Sequence, residues 1–208
     1  MKKTVQFILV SVFMVIFLLG FYFFYPHVWG EILYPLEYRD SIKKYAQEFQ
    51  VDPNLVCAFI YTESRFNADS TSGVGARGLM QVMPATAKGI ADELGETGFT
   101  ADKLYDPDTS IRYGTWYIKG LLDQYDGDIG MAAAGYNAGR GRADRWREDG
   151  TPLPTETVYF IEKIKNTKNT YDTVYGKWWA EPEVQQPTPF YKGIQNFQSF
   201  VNDTILGN

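Results

Sequence analysis

The sequence predicts a mainly α-helical chain, one globular domain following an N-terminal membrane span. Three observations carry that prediction. Apolar residues recur at helical spacing in one segment after another, no run alternates well enough for a strand, and a long uncharged stretch comes first. At 208 residues the chain can bury one sizeable core rather than two.

The uncharged stretch is "TVQFILVSVFMVIFLLGFYFFYPHVWG", with no Asp, Glu, Lys or Arg between Lys3 and Glu31. It holds about 20 strongly apolar residues, enough to cross a hydrocarbon layer of roughly 30 Å as a helix. A cleaved signal peptide is the competing reading, but its apolar region runs to only about 7 to 15 residues before a small-x-small site. Here the run closes on "FYFFYPHVW", aromatic residues of the kind that settle at membrane interfaces. Lys2 and Lys3 favour a cytoplasmic N-terminus. Residues 1–30 are therefore expected to be an uncleaved transmembrane anchor, crossing the cytoplasmic membrane through residues 4–29.

Helices are expected through the rest. In "EYRDSIKKYAQEFQ", Ile42, Tyr45, Ala46 and Phe49 share a face. "VDPNLVCAFIYTES" opens with Asp52 as an N-cap and Pro53 at the first helical position. "MPATAKGIADEL" also opens on proline. "DTSIRYGTWYIKGLLDQY" is expected to start at Asp108, with Ile111, Tyr117, Ile118, Leu121, Leu122 and Tyr125 in one stripe. "DIGMAAAGYNAG" is short and stops at Asn137 and Gly139. "TETVYFIEKIKNTKNTYDTVY" is the last, with Val158, Ile161 and Ile164 in register. The domain is expected over residues 31–179. Residues 180–208 read as a proline-containing linker, "AEPEVQQPTP", and a tail with helical spacing at Phe190, Ile194, Phe197 and Val201.

Composition removes several functions. A net charge of −5 leaves no electrostatic footprint for nucleic acid. The one basic cluster, Arg140, Arg142, Arg145 and Arg147, is interleaved with Asp144, Glu148 and Asp149, and reads as a solvated face or a substrate-side patch. Cys57 is the sole cysteine and sits in apolar "LVCAFI", which suits a buried, inert thiol. His27 is the sole histidine and belongs to the membrane edge. Ser–His and Cys–His hydrolases and His-ligated zinc are thereby excluded from the domain, so no cofactor or metal is expected. Acid–base work falls to carboxylates, Tyr or Lys.

"SGVGARG" carries Gly73, Gly75 and Gly78 in a dinucleotide-like spacing. That fingerprint needs a strand before it, whereas a helix and the polar loop "NADSTS" precede it here. The glycines instead suit positive φ or a close backbone approach. Glu63 is the residue of interest. It follows Phe59 by four positions and Ile60 by three, and so shares their face. A carboxyl there loses water, which favours its neutral form. The competing reading is that Glu63 turns to solvent or caps the next loop.

Taken together, "YTESRFNADSTSGVGARGLMQVMPATA", "YDPDTSIRYGTWYI", "GYNAGRGR" and "TETVYFIEKI" resemble the soluble-lytic-transglycosylase family of peptidoglycan-cleaving enzymes. The likeness runs from about Tyr38 to Tyr175. It implies a lysozyme-like, mainly α fold with a saccharide groove. It also implies that Glu63 is the single catalytic acid/base and that Ser72 lies close to it. Gly78, Leu79, Met80 and Gln81 would line the groove, Gln81 touching sugar and Met80 packing beside the carboxyl. Tyr136, Asn137 and Gly139 would form the element that brings a tyrosine near the glutamate. Two positions depart from the family pattern. Arg140 stands where proline is usual. In Glu156-Thr157-Val158-Tyr159-Phe160 a phenylalanine takes the tyrosine's place, with Tyr159 one residue early as the alternative. The implied partners are peptidoglycan strands, the cytoplasmic membrane and a secretion, conjugation or wall-remodelling machinery. Two alternatives stay open: a hydrolytic lysozyme using a second acid such as Asp69, and a wall-binding assembly protein.

Overall fold

The computed structural model describes residues 2–176 and Trp179; side chains of residues 2–5, 8 and 22–32 fall outside that description, as does the predicted tail at 180–208. The chain divides into two compact units, one holding the N-terminal helix and the other spanning Leu36–Ala180.

In the first unit, helix α1 runs unbroken over Lys2–Leu33. Phe7, Phe13, Ile16 and Phe17 are exposed along it. Among the described residues no helix is long and apolar enough to cross a membrane, so the span expected over 4–29 is not found among them.

The second unit is helical: α2 (Arg39–Phe49), α3 (Pro53–Ser64), α4 (Pro84–Glu93), a 3-10 helix (Ala101–Tyr105), α5 (Pro107–Gln124), α6 (Ile129–Ala138), α7 (Arg140–Asp149) and α8 (Thr155–Tyr175). Two of these are central. Leu55 through Ile60 of α3 are all buried, so this helix is apolar on every side and sits inside the unit. It packs against α2, α5 and α8. Helix α6 is the other, with Ala132, Ala133 and Ala134 buried among α5, α7 and α8. Three large aromatics complete the core: Tyr113, Tyr171 and Tyr175 are fully buried, and the Tyr113 hydroxyl donates to Glu96 at 2.7 Å.

The caps follow the sequence closely. The Asp52 carboxylate accepts from Asn54 N at 2.9 Å, with Pro53 in the first turn of α3. Asp128 accepts from the backbone N–H groups of Gly130 and Met131 at the start of α6. At α5 the cap is Asp106, which accepts from Thr109 N at 2.9 Å, rather than the expected Asp108. Asp108 faces α2 instead, accepting from Ser41 Oγ at 2.8 Å and from the Tyr45 hydroxyl. Beyond α8, Trp179 meets α3, its Nε1 donating to Asn54 Oδ1 at 2.6 Å.

Helix α7 and the 3-10 helix were not anticipated. "RGRADRWRED" is almost wholly polar, and the stop signals at Asn137 and Gly139 hide a helix that restarts at once. Gly139, at φ 88°, is the joint between α6 and α7. The glycine segment forms two isolated antiparallel bridges, Thr71 with Arg77 and Arg77 with Val82, rather than a strand.

Candidate active site

The two buried helices both bring their C-terminal turns to one place. Glu63 lies in the last turn of α3, after Ile60, which is wholly buried. The helix stops on two successive residues at positive φ, Arg65 at 53° and Phe66 at 66°. Neither is glycine, so the left-handed turn is held by its surroundings at a cost of about 1–3 kcal/mol per residue. Burial of Phe66, whose ring lies 6.4 Å from that of Tyr171, supplies one such restraint.

The chain then enters a glycine-containing loop that folds back on itself. Gly78 N donates to Ser70 O at 2.9 Å, and Ser72 Oγ accepts from Ala76 N at 2.9 Å. Gly78 sits at φ 75°, and a β-carbon there would lie 1.8 Å from the Leu104 carbonyl oxygen. Only glycine permits that approach. Gln81, itself at φ 47°, donates from Nε2 to Ser70 O (3.0 Å) and Gly78 O (2.9 Å). Both amide hydrogens are thus committed to the loop, leaving Oε1 as the acceptor available to a ligand. Met80 is fully buried, and its side chain occupies the space left by the missing side chain of Gly114.

Tyr136 ties these parts together from the last turn of α6. Its hydroxyl donates to Met80 O at 2.7 Å. Its ring lies 4.8 Å from that of Phe59 on α3 and 5.4 Å from that of Tyr117 on α5, separations typical of tilted aromatic pairs. A pocket of about 260 Å³ opens beside it, lined by Gln81, Met83, Thr86, Tyr117, Tyr136 and Asn137 among others. Glu63 does not line this pocket, whereas Tyr136, whose phenol feels the Glu63 charge, does.

Burial raises the Glu63 carboxyl to about 7, with the Lys163 ammonium pulling in the opposite direction. The last turn of a helix, where backbone carbonyls point outward, also disfavours an added negative charge. Glu63 therefore still carries its proton in a substantial share of molecules at neutral pH and can donate it. The Tyr136 phenol is pushed well above its ordinary value, first by burial and then by the Glu63 charge and Tyr117, so it stays a neutral donor. Burial likewise raises the Cys57 thiol, as an inert core cysteine requires.

Of the residues singled out in the sequence, Glu63, Met80, Gln81, Tyr136 and Asn137 fall on this cluster of helix ends and loop. Ser72 serves the loop instead, its side-chain Oγ accepting from Ala76 N. Tyr159 does not join them: it is 70% exposed on α8, and its neighbour Phe160 turns inward, its ring 6.3 Å from that of Phe59. Adjacent helical positions differ by about 100°, so only one of the two can face the core. Asp69 is exposed, its backbone N–H bonded to Asn67 Oδ1. Arg140 folds over the ring of Tyr117, a pocket-lining residue, 5.1 Å from its centre, so this member of the basic cluster is not simply solvated. Lys163, Phe59 and Tyr117 were missed as site residues. Phe59 and Tyr117 had been read as core, and nothing local in the sequence brings Lys163 back to α3.

A family model described as the transglycosylase SLT domain matches residues 40–156. The chain is 33% identical over 132 residues to the soluble lytic murein transglycosylase of Escherichia coli K12, an alignment covering 63% of this chain and 20% of that one. It is 34% identical over 152 residues to membrane-bound lytic murein transglycosylase F of Alteromonas mediterranea, covering 67% and 30%. The crystal structure of the 70 kDa soluble lytic transglycosylase of Escherichia coli superposes with a TM-score of 0.67 at 29% identity, covering 71% of this chain and 26% of that one. The chain thus matches a third or less of the length of each.

Proposed function

Because the chain belongs to the transglycosylase SLT domain family, we propose that it is a lytic transglycosylase cutting the β-1,4 bond between N-acetylmuramic acid and N-acetylglucosamine. The observation that carries this reading is a lone carboxyl, Glu63, held near neutrality by burial at the meeting point of α3, α6 and the glycine loop. Glu63 gives its proton to the glycosidic oxygen as the bond to C1 of the muramic residue breaks, with the neighbouring N-acetyl group assisting departure. The resulting carboxylate takes the proton of the C6 hydroxyl of the same sugar, and O6 closes on C1. One C–O bond is broken and one formed, no water is consumed, and a 1,6-anhydro end results. Intramolecular attack replaces an activated water with orientation. General acid–base catalysis of this kind contributes about 10² to 10⁴ in rate.

Ordinary two-carboxylate glycosidases place their acids about 5 to 9.5 Å apart. Asp69, the second acid a hydrolytic route would call on, is exposed on the loop, whereas Glu63 is the desolvated carboxyl, which supports the single-carboxylate route. Gln81, Tyr136 and Asn137 would line the saccharide groove, with Ser72 and Met80 holding its floor. Residues 4–29 would anchor the chain in the cytoplasmic membrane and hold the domain, residues 31–179, against the wall outside. Residues 180–208 would form a linker and a tail that packs back on the domain or meets a partner, and the domain would serve wall remodelling, secretion or conjugation.

The test compares wild-type chain with Glu63→Gln on purified peptidoglycan. Glu63→Gln should bind glycan with little change while cleavage falls at least about 10³-fold. Cleavage by Glu63→Gln at more than a tenth of the wild-type rate would remove Glu63 from the chemistry.

A further inference from the structure

Lys163 lies on α8, one turn beyond Phe160, and reaches across to the end of α3. Its Nζ donates to the carbonyl of Thr62, the residue before Glu63, at 3.3 Å. It is half-buried and forms no ion pair among the described residues. A half-buried ammonium with a single long hydrogen bond to a carbonyl is under-used, because desolvating that charge carries a cost one such bond does not offset. Something in its surroundings must benefit from its charge.

We propose that Lys163 is a positioning residue whose ammonium holds the Glu63 carboxylate during the ionised half of the catalytic cycle. The inference rests on the transglycosylase reading above. When Glu63 gives up its proton, a negative charge appears in a site short of water and beside the outward carbonyls of α3. The positive charge offsets both penalties, and it stabilises the ionised carboxylate far more than the neutral carboxyl. That difference between states is what accelerates a step.

The groups facing Glu63 agree with this assignment. From α8 comes Lys163; from α6 comes Tyr136, whose hydroxyl proton is committed to Met80 O; Tyr117 of α5 packs on the Tyr136 ring at 5.4 Å. Lys163 is therefore the one charge that offsets the effect of burial on Glu63 among the described residues.

The full-length chain in mild detergent, Lys163→Gln and Lys163→Arg test the proposal. Lys163→Gln removes the charge while retaining an amide donor one bond shorter, and Lys163→Arg keeps the charge. Carbon-13 NMR of the Glu63 carboxyl needs no substrate and reads the electrostatics directly. In Lys163→Gln its titration should move up by about half a pH unit or more. The alkaline limb of the kcat–pH profile should follow, with kcat down about tenfold and KM within about twofold. Lys163→Arg should restore all three. Lys163→Met serves the same comparison should the glutamine variant not fold. A Glu63 titration unchanged in either uncharged variant, even with lowered Tm, would reduce Lys163 to a cap on α3 and overturn the proposal. A wild-type chain that cuts no glycan would instead count against the transglycosylase reading, while the titration would still decide the electrostatic role of Lys163.

Discussion

Glu63 costs the fold stability in order to be useful. Its folded-state pKa of about 7 lies above the ordinary 4.5, so its contribution is harmless below about pH 4.5 and becomes destabilising as pH rises through 7. The gap corresponds to up to about 3 kcal/mol at high pH. Glu63→Gln should therefore melt close to the wild type at pH 4 and above it at pH 8, as read by calorimetry across pH. Equal Tm differences at both pH values would mean that the carboxyl is not desolvated. The same protonation sets the rate: kcat/KM should be flat below pH 7 and fall above it. Tyr136→Phe offers a second residue-level check. It removes the bond to Met80 O and leaves a buried acceptor unpaired, a loss of about 1–3 kcal/mol. It should also lower kcat, because that bond ties the last turn of α6 to the glycine loop that together frame the pocket. Glu63 was legible in the sequence because its spacing from Phe59 and Ile60 put it on their face, while the choice between a buried acid and a solvent-facing one rested on the family resemblance of the surrounding motifs. Lys163 was not, because one hundred residues separate it from Glu63 and only the packing of α8 on α3 brings them together.

At the scale of elements, two buried helices present their C-terminal turns, and the loop between α3 and α4 closes over them. The start of α6 matters because Tyr136 is carried at its far end. Asp128→Ala removes the cap that holds Gly130 N and Met131 N, and should cost about 1 kcal/mol in denaturant unfolding. The loop is less forgiving. Gly78→Ala combines a positive φ with a clash against Leu104 O and should destabilise by more than about 2 kcal/mol. A variant within 0.5 kcal/mol of wild type, roughly the spread of neutral surface changes, would show that the loop can move aside. Helices α2 to α6 and α8 were readable from apolar spacing, proline and Asp caps. Helix α7 was not, since its ten residues carry charge on nearly every face and only Ala143 is fully buried. The 3-10 helix Ala101–Tyr105 escaped for a related reason, with Leu104 its one buried residue.

For the whole molecule, α1 and the domain are separate units, and each makes its own prediction. If residues 4–29 insert as proposed, the full chain should stay with membranes through alkaline carbonate extraction and be released by detergent. Chain washed free by carbonate would refute insertion without touching the chemistry. The resemblance covers the region from Tyr38 to Tyr175, and the matched family model covers residues 40–156. The departures inside that region have physical consequences: Phe160 brings an aromatic ring inward with no hydroxyl, and Arg140 stacks on Tyr117 at the edge of the pocket. The central claim, that one carboxyl gives and recovers a proton with no water attacking, is tested most directly by the product. Peptidoglycan digested in heavy-oxygen water and resolved by mass spectrometry should show 1,6-anhydromuramic ends carrying no label. Reducing ends labelled with heavy oxygen would contradict the account.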